Sequence, residues 1–266
     1  MIQVFPQLAS GACVQYAAGR FRSRRTVVSR TKGGYCFRYT DPGAAQVRWS
    51  VPLRALSDAE IDAIGQLFEA SEGRLGTFIF LDPAANLFSW SEDFRKPAWT
   101  ADPMVQQSSE VADPFGSQRA TRLLNGGQAP QRLSQTLEVP AAFTYCLSAF
   151  ARSAGGASVS LVRSAGGVEQ METTVLDGKW RRLTSSGVVG GIANGVSFGV
   201  ELAPGSMLEL FGMQVEAQVA PSEYMVTRAA GGVYPAARFD DDEWMITAQS
   251  VDRSDAIVKI VSSDEE

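Results

Sequence analysis

The side chain that enzymes most often use as a general base near neutral pH is missing: the 266-residue sequence contains no histidine. That removes Ser-His-Asp and Cys-His machinery and the ordinary zinc hydrolase sites. Carboxylates remain, and a glycosidase or polysaccharide depolymerase needs only two of them, roughly 5 to 9.5 Å apart. The sequence nominates no such pair. Its densest acidic run, Asp240-Asp241-Asp242-Glu243, would send successive side chains to opposite faces of a strand, so only alternate members could converge. A solvated connector or an ion-pairing patch is the expected role. The chain is therefore expected not to be an enzyme and to need no cofactor.

Cys13, Cys36 and Cys146 are odd in number and widely spaced, with no CxxC. They read as buried thiols of a protein made in a reducing cytosol, not as a disulfide framework. The segment MIQVFPQLASGACVQY lacks the basic head and apolar stretch of a signal peptide, and no run approaches the roughly 20 apolar residues of a membrane span. Export and membrane insertion are not expected. The net charge of −5 is distributed unevenly: Arg20, Arg22, Arg24, Arg25, Arg30, Lys32 and Arg38 all precede the first acidic residue, Asp41, and Asp264, Glu265 and Glu266 close the chain. The basic tract carries no nucleic-acid motif, and no nucleic-acid partner is expected.

The elements that must position these groups fall into three stretches. In SDAEIDAIGQLFEASEG, Ser57 and Glu60 form a capping box, Ile61, Ile64, Leu67 and Phe68 share one face, and Gly73 supplies a stop, which predicts a helix near 57–72. Before it, Val47, Trp49, Val51 and Leu53 alternate with Arg48, Ser50 and Pro52 as in a half-buried strand near a sheet edge. After it, TFIFLD predicts a second strand. From Asn86 the pattern becomes that of a sandwich: Phe143, Tyr145, Leu147 and Ala149 alternate, as do Val159 and Leu161, then Val196, Phe198, Val200 and Leu202, then Leu208 and Leu210. Glycine- and asparagine-rich turns separate these runs. After Arg228, WMITAQS and AIVKIVSS predict two final strands. Two strands bury no core alone, so they are expected to rejoin the first segment. The expected fold is mainly β: a small α+β, barrel-like framework of residues 1–85 plus 229–266, interrupted by an antiparallel jelly-roll sandwich of residues 86–228.

The first segment resembles minor and distal tail proteins of long-tailed bacteriophages. The strand with Trp49, the LSDAE helix ending in Phe68-Glu69-Ala70, and the Phe-x-Phe-x-Asp-Pro exit at Phe78 to Pro83 carry the resemblance, and RFDDDEWMITAQSVDRSDAIVKIVSS is similar to their closing strand pair. The insert resembles carbohydrate-binding-like jelly rolls in NLFSWSEDFRKPAWTAD, ADPFGSQRATRLL, DGKWRRLTSS and FGMQVEAQVAPSEYMVTRAA. The resemblance implies a structural protein at the distal end of a virion tail. It would form a ring, hexameric by analogy, that joins the tail tube to the tip-hub proteins, with a peripheral sandwich able to touch host surface polysaccharide. A mere spacer or docking platform is the competing role for the insert.

Sugars stack an apolar ring face on aromatic side chains and present a polar rim to hydrogen-bonding groups. Candidate contacts are Phe115, Trp90 and Trp99, with Trp180 and Tyr224 also considered. Trp90 and Trp180 lie in strand patterns that favour packing between sheets, whereas Phe115 sits in the turn ADPFGSQ and is the better exposed. Jelly rolls of the resembled kind often hold calcium, for which Glu92 and Glu216 are the positions that could meet; no metal is expected. Arg22, Arg24 and Arg25 are expected to meet Asp240, Asp241 and Asp242 across a subunit boundary of the ring.

Overall fold

Alternation along β-strands builds most of the chain, whose computed structural model describes residues 3–263. The acidic cluster Asp264, Glu265 and Glu266 lies outside the described residues. In chain order the elements begin with β1 (Gly19–Arg30), β2 (Cys36–Leu56), α1 (Asp58–Ala70) and β3 (Phe78–Leu81). There follow β4 (Thr100–Ala101), β5 (Val105–Val111), β6 (Ala120–Asn125), β7 (Gln131–Pro140), β8 (Thr144–Arg152), β9 (Ser158–Ala165), β10 (Val168–Val175), β11 (Arg181–Val188), β12 (Asn194–Leu202) and β13 (Met207–Glu216). The last are β14 (Val233–Phe239), β15 (Ile246–Ser250) and β16 (Arg253–Ser263).

Two compact units share the chain. A framework unit gathers Met1–Ala9, Val14–Phe80 and Tyr234–Glu266, and a sandwich unit gathers Ser10–Cys13 and Leu81–Val233. These bounds lie a few residues outside the change in sequence pattern at 85/86 and 228/229, and the short segment Ser10–Cys13 goes with the sandwich.

The framework sheet has six strands, in the order β1-β2-β16-β14-β3 with β15 on β16. Val47, Trp49, Val51 and Leu53 are buried on one face of β2, as alternation requires. β2 is an inner strand, yet β1 accompanies it only as far as Ser50, which pairs with Gly19. Pro52 lies beyond that point, opposite Ile257 of β16, so its missing N–H falls on the side where no strand requires a donor. The α1 capping box is complete: Ser57 N–H donates to Glu60 Oε2 at 2.9 Å, and Glu60 N–H donates to Ser57 Oγ at 3.4 Å. Glu60 also accepts from Ala9 N–H at 2.9 Å. Burial would raise the Glu60 carboxyl, but the Ser57 and Ala9 N–H groups outweigh it and hold the group below its ordinary value. The helix stops where Gly73, at φ +62°, returns its N–H to the Phe68 carbonyl at 3.1 Å.

The sandwich unit consists of two five-stranded antiparallel sheets, β10-β9-β12-β7-β4 and β11-β8-β13-β6-β5. Leu133, Val139, Phe198, Val200 and Leu202 of the first, with Tyr145, Leu147, Ala149, Leu210 and Val215 of the second, make the buried core. Asn86 ties the way in to β13: its amide donates to the Met213 carbonyl at 2.8 Å, and its oxygen accepts from Val215 N–H at 3.0 Å and Phe88 N–H at 3.1 Å. No helix among the described residues is long and apolar enough to cross a membrane.

Candidate functional site: an aromatic and arginine face

The outer face of the second sheet carries rings where most sandwich exteriors carry polar residues. The inward positions of β8 and β13 are Leu147, Ala149, Leu208 and Leu210, so the alternate positions Phe150, Arg152, Glu209 and Phe211 point outward. Register places them in two rows. Arg182 of β11 stands opposite Phe150 of β8, and Phe150 stands opposite Phe211 of β13. Two residues along, Glu209 faces Arg152 on one side and Arg122 on the other.

Each guanidinium on this face is both stacked and hydrogen-bonded or simply paired. Arg119 lies 4.9 Å from the Phe211 ring centroid, and donates to Asp113 Oδ2 and Glu92 Oε1 at 2.9 Å each. Arg152 lies 4.8 Å from Trp180 and is bonded to Glu209 at 2.6 Å; Arg122 meets the same carboxylate at 2.7 Å. Arg182 lies 5.5 Å from Phe150 and donates to the Ser222 carbonyl at 2.5 Å and to Ser148 Oγ at 3.0 Å.

Phe115 sits above the first row. Its ring meets Phe150 edge-on at 5.6 Å and Phe211 at 5.8 Å, while 60% of the residue stays exposed. A tight turn holds it: Asp113 Oδ1 accepts from Phe115 N–H at 2.8 Å and Ser117 N–H at 3.3 Å, and Gly116 takes φ +87°. Burial works to raise the Asp113 carboxyl, but the Phe115 N–H and Arg119 together hold it below its ordinary value. Glu209 is likewise lowered, because Arg122 and Arg152 outweigh the effect of its burial. Tyr224 closes one side. Its hydroxyl bonds Ser91 Oγ at 2.8 Å and Glu92 Oε1 at 3.1 Å, and burial pushes its own ionisation upward. The ring lies against a register shift in β13, where Gly212 adopts φ +62°.

The structure separates the sequence candidates. Phe115, Trp180, Tyr224 and Glu92 come together on this face. Trp90 is half-buried, with Lys96 Nζ 4.6 Å from its ring centroid. Trp99 is corrected to a core residue: it is 6% exposed, packed against Phe88 at 4.8 Å and Phe94 at 5.1 Å, and has no open face for a sugar. Its indole N–H donates to the Trp90 carbonyl at 3.0 Å. Phe150, Phe211, Arg119, Arg152 and Arg182 were missed by the sequence reading. The inward alternation of Leu208 and Leu210 carried the signal for Phe211, since it requires the next residue to point outward.

Glu92 and Glu216 do not fit a calcium site. Glu92 is committed to Arg119 and Tyr224. The buried Glu216 carboxylate is capped by N–H donors, Gln214 Nε2 at 2.8 Å, Gln218 Nε2 at 3.0 Å and Ser222 N at 3.0 Å, where a cation would need acceptors. Among the described residues no group of three or more Cys, Asp or Glu side chains is placed to hold a metal.

In the framework unit, Arg22, Arg24 and Arg25 lie on exposed positions of β1. Arg25 stands 3.5 Å from Asp41. The acidic run has partners within its own unit: Asp240 meets Arg48 at 3.6 Å, Asp241 meets Lys259 at 2.8 Å, and Asp242 accepts from Arg74 N–H at 3.0 Å.

No family model matches the chain, and no curated protein matches it. Among solved structures, the chain is similar to the CBM22-1 xylan-binding domain of Paenibacillus barcinonensis Xyn10C, at 17% identity and a TM-score of 0.43 over 53% of this chain and 99% of that one. It is also similar to TmCBM61 in complex with β-1,4-galactotriose, at 16% identity and a TM-score of 0.39 over 49% of this chain and 97% of that one. A third likeness is to the enzymatically active domain of tailspike protein 4 from bacteriophage CBA120, at 12% identity and a TM-score of 0.40 over 52% of this chain and 22% of that one. The fold and the face together define a mainly β protein that carries an antiparallel sandwich with an exposed aromatic ring.

Proposed function

We propose that the chain is a non-catalytic structural component of a bacteriophage tail tip, and that its sandwich unit binds a glycan across the aromatic and arginine face. One observation carries the binding half. Phe115 presents 60% of its surface beside Phe150 and Phe211, the rings on which Arg182 and Arg119 stack. An exposed ring bordered by fixed donors suits a sugar, whose apolar face stacks while its hydroxyls bond at the rim. Chemistry is not part of this reading. A glycosidase acid must hold its proton near neutral pH, whereas Asp113 and Glu209 are both held below their ordinary values by arginines.

The placement at the distal tail, in a ring that joins tube to hub, is supported by the order of the Trp49 strand, the LSDAE helix and the Phe-x-Phe-x-Asp-Pro exit. A glycan array probed with the whole protein and with Phe115→Ala tests the binding half. Binding that falls at least tenfold in the variant is the expected result; no binding by either protein leaves the sandwich a spacer. New reducing ends released from host polysaccharide would replace this reading with a depolymerase. Negative-stain microscopy of virions tagged in the sandwich tests the other half, with label expected around the distal tail and label on the capsid ending it.

A further inference from the structure

The framework unit carries a ribbon whose side chains are mostly exposed among the described residues. Among the described residues the last pair between β16 and β2 is Ser263 with Gln46, and from Arg25–Asp41 to Arg30–Cys36 the described pairing is between β1 and β2. The free part of β2, residues 36–45, runs for about 30 Å at roughly 3.3 Å per residue. Two-stranded hairpins are marginal in water, and this one exposes apolar groups on both faces: Val28 is 49% exposed, Tyr35 74%, Phe37 57% and Tyr39 55%. Arg24, Arg25, Arg30, Lys32 and Arg38 are interleaved with them.

The same unit has an open groove of the opposite character. Ile61, Gly65 and Ala70 of α1 line it together with Trp244 and Ile246, and the exposed residues Asp62 and Glu69 of α1 also belong to its lining. The ribbon leaves the sheet at the Ser263 end of β16, whereas β15 lies at the other end, with Ile246 opposite Ala256. A ribbon that runs away from its own groove is positioned to reach the groove of a second copy.

We propose that the β1–β2 ribbon of one copy seats in the α1–Trp244 groove of the next, with Phe37 and Tyr39 against Trp244 and Ile246 and the ribbon cations against Asp62 and Glu69. The contact is head-to-tail, the kind that closes into a ring when its rotation permits. It rests on the ring reading above and names the surface that forms the ring. It also moves the acidic side of the contact from Asp240, Asp241 and Asp242, which have partners within the unit, to α1.

Cys36 provides the test, because it is exposed at the ribbon while Cys13 and Cys146 are buried. A benzophenone maleimide on Cys36 of the full chain, irradiated in a mixture of 14N- and 15N-labelled copies, is expected to give crosslinks between copies to residues 61–70 or 244–246. Native mass spectrometry should show a closed assembly, weakened at least tenfold by Phe37→Ser with Tyr39→Ser, and equally by Asp62→Lys with Glu69→Lys. Circular dichroism should show all variants folded, since every substituted side chain is exposed. A closed assembly whose crosslinks map elsewhere overturns the ribbon contact and leaves the ring standing. A monomer at every concentration overturns both.

Discussion

Gly212 is the position where the aromatic face depends on a single atom. Its φ of +62° disfavours any side chain, and a Cβ there would lie 2.9 Å from Tyr224 Cε2. Gly212→Ala is therefore expected to destabilise the sandwich by about 1–3 kcal/mol in urea unfolding and to displace Tyr224 from Ser91 and Glu92; unchanged stability would show that the ring can yield. Asp113 makes the Phe115 turn sensitive to acid. Its folded value is lowered, so its stabilisation is present above the unfolded value of about 3.9 and is lost as pH falls through the folded value. The Phe115 amide resonance, which reports the hydrogen bond to Asp113, should shift with a midpoint below about 3.9, and Asp113→Asn should abolish that transition. A midpoint above the ordinary value would contradict the assignment. Of this site the sequence made Phe115 legible, because Asp-Pro-Phe-Gly is a turn and turns expose their residues. It did not single out Phe150 and Phe211, because apolar residues occupy most positions of β8 and β13 and outward rings there look like inward ones.

At the scale of elements, α1 is the part most completely written into the sequence. Ser57 and Glu60 bond each other across three residues and Gly73 reaches Phe68 across five, so local spacing suffices to read these contacts, though not the bond from Ala9 to Glu60. Ser57→Ala is expected to cost the framework about 0.5–2 kcal/mol in denaturant unfolding. Glu60→Gln should remove part of the loss of stability on acidification, because the lowered Glu60 carboxyl stabilises the fold above its unfolded value and ceases to as pH falls through the folded one. An acid profile unchanged in Glu60→Gln would mean that other carboxylates dominate it. The ribbon was the least legible element. Its Gly33-Gly34 turn and its alternation are present, but with both faces exposed there is no buried period to detect, and only the charge of the tract stood out. Glu92 and Glu216 show a different limit: spacing locates carboxylates without revealing that arginine, amide and hydroxyl donors already occupy them.

At the scale of the whole chain, the sandwich begins and ends at one point. Asp82 N–H donates to the Gly232 carbonyl at 2.8 Å, and Gly232 N–H donates to the Asn86 carbonyl at 2.9 Å. The two segments pass so closely that a Cβ on Gly231 would lie 2.1 Å from the Leu87 oxygen. Replacing residues 83–231 by a short Gly-Ser turn is expected to leave a folded framework, with cooperative thermal unfolding followed by circular dichroism; an unfolded product would show that the framework requires the insert. The change in residue pattern near Asn86 was readable, whereas the inclusion of Ser10–Cys13 with the sandwich was not, since four residues carry no period. Because both ends of the inserted stretch meet across two hydrogen bonds, one sandwich can be substituted for another by exchange at two sites that are distant in sequence but adjacent in space. A lineage built on this scaffold can thus exchange its whole outer domain in a single genetic event, without altering a residue of the framework sheet.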